Sequence, residues 1–136
     1  MKYAPPESSR LHELVVQLYA GSWNSSVQKA RTLVAVTEAS SIVEELTRSA
    51  GWRERVVGAK LAHAFALNEL VGPLVQTFGA NPETYTASAF AKLLASFESP
   101  DKESLLSKLR EACPATPYGK HLLELIEKAS TSEPAA

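Results

Sequence analysis

The fold is decided by the stretch WRERVVGAKLAHAFALNELVGPLVQTF, residues 52–78, in which large apolar residues recur at helical spacing with small residues between them. One helical line carries Val56 and Ala59, and the neighbouring line carries Val57 and Leu61. A helix that is apolar over most of its circumference is expected to be central. The small residues favour close packing of neighbouring helices over the wall of a ligand pocket: Gly58, Ala59, Ala62 and Ala66.

Glycines and prolines divide the rest of the chain into segments of helical length. No segment alternates polar and apolar residues over the roughly four to eight positions of a half-buried strand. We therefore predict an all-α domain over residues 8–129, with flexible tails at 1–7 and 130–136. The predicted helices cover residues 8–20, 25–36, 40–50, 52–66, 68–78, 85–97, 101–112 and 117–129.

The apolar face of each helix identifies the expected core. In the first helix Leu11, Leu14 and Leu18 follow the i, i+3, i+7 spacing, and Gly21 is expected to end the helix in a left-handed conformation. One strongly apolar position from most of the other helices completes the prediction. The residues predicted to be largely buried are Leu18, Leu46, Val56, Leu61, Leu74, Leu93 and Leu122.

The order of the helices suggests a structural repeat. If consecutive helices pair, the first members begin near residues 9, 39, 68 and 101, which is a period of about 30 residues. Two helices per period are typical of an α-solenoid, in which each hairpin buries its apolar face against its neighbours. About eight short helices would then form four antiparallel hairpins. An irregular helical bundle is the alternative.

A family resemblance supports the repeat. The run Arg55-Val56-Val57-Gly58-Ala59-Lys60-Leu61-Ala62, followed by Leu70 and Pro73-Leu74, resembles the second helix of a HEAT-like repeat and the start of the next unit. The run Ser88-Ala89-Phe90-Ala91-Lys92-Leu93-Leu94 repeats the pattern one unit later. The similarity extends over residues 52–97. It implies a right-handed α-solenoid whose second helices line a concave surface.

Composition limits the classes of function. The formal net charge of -1 provides no overall field to attract nucleic acid or an anionic membrane. Charged residues interrupt every apolar segment, so no membrane span is predicted. The single cysteine, Cys113, excludes an intramolecular disulfide, and the opening residues MKYAPPESSR lack the apolar run of a secretory signal. These features predict a cytoplasmic protein.

Motifs for chemistry are incomplete. His12-Glu13 would begin a zinc-binding helix if position 16 were histidine, but Val16 stands there. Ser26 and Lys29 match a Ser-x-x-Lys pattern, yet its accompanying motifs are missing. We therefore predict no catalytic residue, no metal ligand and no cofactor. An enzyme of unrecognised type remains an alternative, because residues distant in sequence can meet in space.

Charge differs between the two sets of helices. The second helices carry more lysine and arginine than glutamate, whereas the first helices carry an acidic excess. Together with the HEAT-like resemblance, this pattern implies a mildly basic concave face that binds an acidic segment of a partner protein. A non-catalytic interaction module, for instance a bacterial regulatory or toxin-neutralising protein, is the leading hypothesis, and a binder of the nucleic-acid backbone is its rival. The candidate partner-binding residues are Arg31, Arg55, Lys60, Lys92 and Lys120.

Overall fold

The chain folds into α-helices. A computed structural model describes residues 9–49, 51–97 and 99–131, and these residues contain eight α-helices, one 3₁₀ turn at Thr77–Gly79 and no strand. The all-α prediction is therefore confirmed for the described residues. The predicted tail at 1–7 and residues 132–136 of the C-terminal tail lie outside them. The helices are α1 (Ser9–Leu18), α2 (Trp23–Leu33), α3 (Val36–Arg48), α4 (Trp52–Ala64), α5 (Asn68–Gln76), α6 (Thr84–Ala95), α7 (Lys102–Ala112) and α8 (Pro117–Thr131).

Helix α4 is central, as its apolar circumference predicts. It contacts α1, α2, α3, α5 and α6. Two apolar clusters lie on its two sides: Val57 and Leu61 pack with residues of α1 and α3, while Val56 and Ala59 pack with residues of α5 and α6. Because both sides of α4 are buried, the helix has no broad polar face.

The even-numbered helices lie next to one another in chain order. Helix α2 contacts α4, α4 contacts α6, and α6 contacts α8. The odd-numbered helices α3, α5 and α7 contact one another in the same order. Among consecutive helices, α3 and α4 pack extensively. The candidate site lies along the row of even-numbered helices.

Burial agrees with the predicted core. Each predicted core residue is 6% exposed or less, and Leu18, Leu61, Leu74 and Leu122 are completely buried. Gly21 has a φ of 92°, so it adopts the left-handed conformation expected after α1. No helix in the described part of the chain combines the length and the apolar character needed to cross a membrane.

Helix α3 begins earlier than the sequence predicts, at Val36 instead of residue 40. Its N-cap is Ala35, which has no side chain able to cap a helix. The Glu38 side chain bonds the cap residue from the other direction, because its Oε2 accepts from the Ala35 backbone N–H at 2.9 Å. The Glu38 backbone N–H donates to the Ala35 carbonyl at 3.0 Å. Arg10 of α1 holds that carboxylate through an ion pair of 2.8 Å. The early start thus depends on a contact between helices.

The small residues of α4 do not all serve close packing. Ala59 and Ala62 are buried between helices, as expected. At Gly58, however, an added Cβ would lie 3.5 Å from Leu74 and 3.7 Å from Leu46, which is ordinary van der Waals contact. Ala66 lies after the helix, is exposed, and has a φ of 51°. Close approach therefore requires a small residue at Ala59 and Ala62 but not at Gly58.

Candidate functional site

The five predicted partner-binding residues differ in exposure. Arg31 and Lys120 are exposed and Lys92 is half-buried. Arg55 and Lys60, by contrast, are only 7% and 3% exposed. Arg55 and Lys60 therefore add little to an exposed basic face.

Several cations of the chain bind the carbonyl groups at which other helices end. Three of the predicted site residues do so. Arg31 Nε donates to Ala64 O at the end of α4, at 3.1 Å, and Lys60 Nζ donates to Leu18 O at the end of α1, at 2.7 Å. Arg55 Nη1 donates to Thr77 O just after α5, at 3.5 Å. Arg10 and Lys102 act in the same way on Leu33 O and Ala95 O, at 2.9 and 3.3 Å. The last carbonyl groups of a helix have no hydrogen-bond donors within that helix, and the negative end of the helix dipole lies there. A cation therefore stabilises them. These cations hold the helices together.

Lys60 and Lys92 nevertheless meet at one pocket of about 290 Å³. Gly21 of the α1–α2 turn and Leu125 of α8 also line it, so the pocket opens along the row of even-numbered helices. We call it the cationic aromatic pocket and define it by six side chains. These are Tyr19, Trp23, Trp52, Lys60, Tyr85 and Lys92.

The aromatic rings of the pocket are packed against one another. Trp52 and Tyr85 are stacked, with ring centroids 4.3 Å apart and planes at 15°. Tyr19 meets Trp52 edge to face at 6.2 Å. The Arg53 guanidinium lies over both the Trp52 and the Tyr19 rings, at 4.6 and 5.4 Å from their centroids. Stacking and cation–π contacts fix the orientation of this wall.

The position of these aromatic residues in the sequence is regular. Trp23 and Trp52 are the first residues of α2 and α4, and Tyr85 and Tyr118 are the second residues of α6 and α8. Each even-numbered helix thus has an aromatic residue at its first or second position, and the first three of these residues line one pocket. This recurrence is the sequence signal that could have identified the site, which the charge pattern alone did not.

Lys60 provides a buried positive charge beneath the aromatic wall. Besides Leu18 O, its Nζ donates to Tyr19 O at 3.3 Å and to Ser26 Oγ at 3.0 Å. Burial, with a smaller contribution from the charge of Lys92, lowers the pKa of Lys60 from 10.5 to about 8. The ammonium is therefore still largely protonated at neutral pH. Its three acceptors are all uncharged, so none of them neutralises it.

The pocket has no negative charge of its own among the described residues. No carboxylate is found in its lining. The Arg10–Glu38 and Arg110–Glu127 ion pairs lie elsewhere in the described part of the chain and involve neither pocket lysine. Two neighbouring ammonium groups without a counter-ion produce a positive potential that an anion would relieve.

We expect an NMR titration of the lysine side chains to show one ammonium group with a midpoint near pH 8, because burial disfavours its charge. This signal should disappear in Lys60→Met. In Lys92→Gln its midpoint should rise, because a neighbouring like charge has been removed. The unfolded chain keeps the proton up to about pH 10.4, so the free energy of unfolding should rise with pH between about 8 and 10.5. A midpoint above about pH 10 would show that Lys60 is solvated or paired.

His63 holds one wall of the pocket in place. Its Nδ1 accepts a hydrogen bond from Trp23 Nε1 at 3.2 Å, and Ser96 Oγ lies 3.0 Å from the same nitrogen. Burial, and secondarily the charge of Arg31, lowers the pKa of His63, which favours the neutral ring that this hydrogen bond requires. His63 is half-buried, and its hydrogen bonds link α4 to α2 and α6.

Comparisons with protein families, with curated proteins and with solved structures find no match to this chain.

Proposed function

We propose that the protein is a non-catalytic interaction module that binds an acidic segment of a partner protein at the cationic aromatic pocket. The observation that carries this proposal is the presence of Lys60 and Lys92 in one aromatic pocket whose described lining contains no carboxylate. A partner carboxylate bound to the Lys92 ammonium would offset the repulsion between the two lysines. Lys60, whose N–H groups already donate to Leu18 O, Tyr19 O and Ser26 Oγ, would add positive potential from beneath. Aromatic walls would exclude water from the contact and so strengthen it.

A HEAT-like arrangement is part of the proposal. The row α2, α4, α6, α8 and the row α3, α5, α7 are the contacts that stacked helical hairpins would make. In such an arrangement the second helix of each hairpin lines the binding surface. The pocket is built largely from those helices, which supports their assignment to the binding face.

The rival function, binding along a nucleic-acid backbone, has less support. Such binding needs a row of exposed cations that follows the phosphates. Three of the five predicted cations instead donate to helix carbonyls, and two of these three are buried. The pocket offers space for one or two side chains rather than a track.

The contact between Ser96 Oγ and His63 Nδ1 is a local candidate for an enzymatic role. A catalytic base must have a free lone pair to take the proton of its nucleophile. The Nδ1 lone pair already accepts from Trp23 Nε1. Ser96 Oγ also donates to its own helix, at Leu93 O. These hydrogen bonds favour a structural role for the pair.

The test is the binding of a fluorescein-labelled peptide of glutamate and serine residues, followed by fluorescence anisotropy at low salt. We expect Lys92→Glu to weaken binding by about tenfold or more, because it places a negative charge in the pocket. The matched control is Lys120→Glu, the same charge change at an exposed residue outside the pocket lining, which should have little effect. Binding by the unaltered protein should also weaken above pH 8, as Lys60 loses its proton.

Three outcomes would contradict the proposal. The peptide could fail to bind, or both variants could weaken binding equally, which would indicate a response to net charge alone. A labelled oligonucleotide could instead bind more tightly than the peptide under the same conditions, which would favour the rival function.

A further inference from the structure

The cationic aromatic pocket is larger than a carboxylate group requires. Its volume of about 290 Å³ is close to the lower end of the roughly 300–1,000 Å³ of small-molecule sites. An aspartate or glutamate side chain paired with Lys92 would fill only part of this space. The remainder would hold water against aromatic rings, which is unfavourable compared with an apolar occupant.

The wall offers a surface suited to a flat ring. Trp52 and Tyr85 are stacked at 4.3 Å, and Tyr19 stands nearly perpendicular to Trp52 at 79°. Tyr85 is 60% exposed, which is a large exposure for an aromatic side chain in a folded domain. A further ring could therefore stack on it or meet its edge.

Charge excludes the other common occupant of an aromatic pocket. Clusters of aromatic rings also bind ammonium groups through cation–π interactions. Here, Lys60 and Lys92 line the pocket and would repel such a cation. The Arg53 guanidinium moreover already occupies a position over the Trp52 and Tyr19 rings. The occupant must then combine an apolar ring with a negative charge.

We infer that the pocket recognises an aromatic side chain adjacent to an aspartate or glutamate in the partner segment. The inference rests on the proposed function and specifies the sequence that the site selects. The ring packs against the exposed Tyr85, and the neighbouring carboxylate pairs with Lys92 above the buried charge of Lys60. A ring without a carboxylate would make no use of the lysines of the pocket, and a carboxylate without a ring would make no use of its aromatic wall.

Three blocked dipeptides test this inference. The probe is N-acetyl-phenylalanyl-glutamate amide, for which a Kd of roughly 0.01 to 1 mM is expected from its size. One control replaces phenylalanine with alanine and keeps the charge, and the other replaces glutamate with glutamine and keeps the ring. Each control should bind about tenfold more weakly, because burying a ring and pairing a charge contribute similar free energies. Chemical-shift changes in ¹H–¹⁵N spectra measure the affinities.

A pair of tyrosine variants tests the position of the ring. Tyr85→Ala should weaken the phenylalanine-containing probe by about fivefold or more but leave the alanine control nearly unchanged. The matched variant is Tyr118→Ala. Tyr118 is also exposed, at 47%, and is the second residue of its helix, as Tyr85 is, but it does not line the pocket. This second variant should not alter either affinity.

The outcomes separate the inference from the proposed function. Equal binding of the phenylalanine and alanine peptides would overturn the inference and leave the proposed function intact. Equal binding of the glutamate and glutamine peptides would overturn both, because the lysines would then have no role. Absence of binding by every dipeptide would overturn the inference, and the longer acidic peptide would still decide the proposed function.

Discussion

Replacement of Gly119 by alanine is expected to destabilise the fold by about 2–3 kcal/mol or more. Gly119 lies buried in the first turn of α8, and its N–H donates to Thr116 Oγ1 at 3.0 Å. A Cβ at this position would overlap the carbonyl oxygen of Pro114, and it would also lie 2.6 Å from the carbonyl carbon. Both atoms are backbone, so no side-chain rotation can remove the clash. The turn between α7 and α8 must move instead.

The matched control is Gly72→Ala in α5. No heavy atom lies within 4 Å of a Cβ built at Gly72. Alanine is favoured over glycine inside a helix by about 0.5–1 kcal/mol, so this variant should be more stable than the unaltered protein. Urea denaturation followed by circular dichroism measures both changes. A neutral or stabilising effect of Gly119→Ala would show that the turn does not approach α8 as closely as described.

Replacement of Leu61 by alanine is expected to lower the free energy of unfolding by about 2–5 kcal/mol. Leu61 is completely buried, at the point where α4 packs against α1 and α3. The loss combines the transfer free energy of the side chain with the cavity left behind. It is a large part of the roughly 5–15 kcal/mol that stabilises a typical domain.

The control for Leu61 is Val16→Ala, which removes apolar atoms from a side chain that is 55% exposed. Surface changes of this kind usually alter stability by no more than about 0.5 kcal/mol. A loss below about 1 kcal/mol for Leu61→Ala would mean that α4 is not the central helix of the core.

The helices could be predicted from sequence because their signals are local. Glycine after α1 and α3 and the spacing of the leucines placed most helices within a few residues of their observed positions. The start of α3 was missed because its cap depends on Glu38 and Arg10, which belong to different helices. Which helices contact one another likewise depends on tertiary packing, and the spacing of apolar residues in the sequence does not predict it.

The site could be predicted only in part for a related reason. A lysine on a helix is usually solvated, and nothing near Lys60 in the sequence indicates that the C-terminal end of α1 will need its ammonium group. Glu54, counted among the charges of the second helices, is likewise buried, at 1% exposure, in the first turn of α4. There its carboxylate lies against Gly51, where the positive end of the helix dipole favours it. Counting the charges of each helix therefore cannot predict which charged side chains are buried at the end of a helix in the folded protein.

The central claim is that an acidic segment binds in the cationic aromatic pocket, and the indole N–H signals of the protein test it most directly. The chain contains two tryptophans, Trp23 and Trp52, and Trp52 stacks on the exposed Tyr85 within the pocket. Addition of the unlabelled peptide of glutamate and serine residues is predicted to shift the Trp52 indole signal in a saturable manner, and Lys92→Glu should abolish that shift. A saturable response located elsewhere, for instance around the Arg10–Glu38 ion pair, with the Trp52 signal unmoved, would contradict this claim.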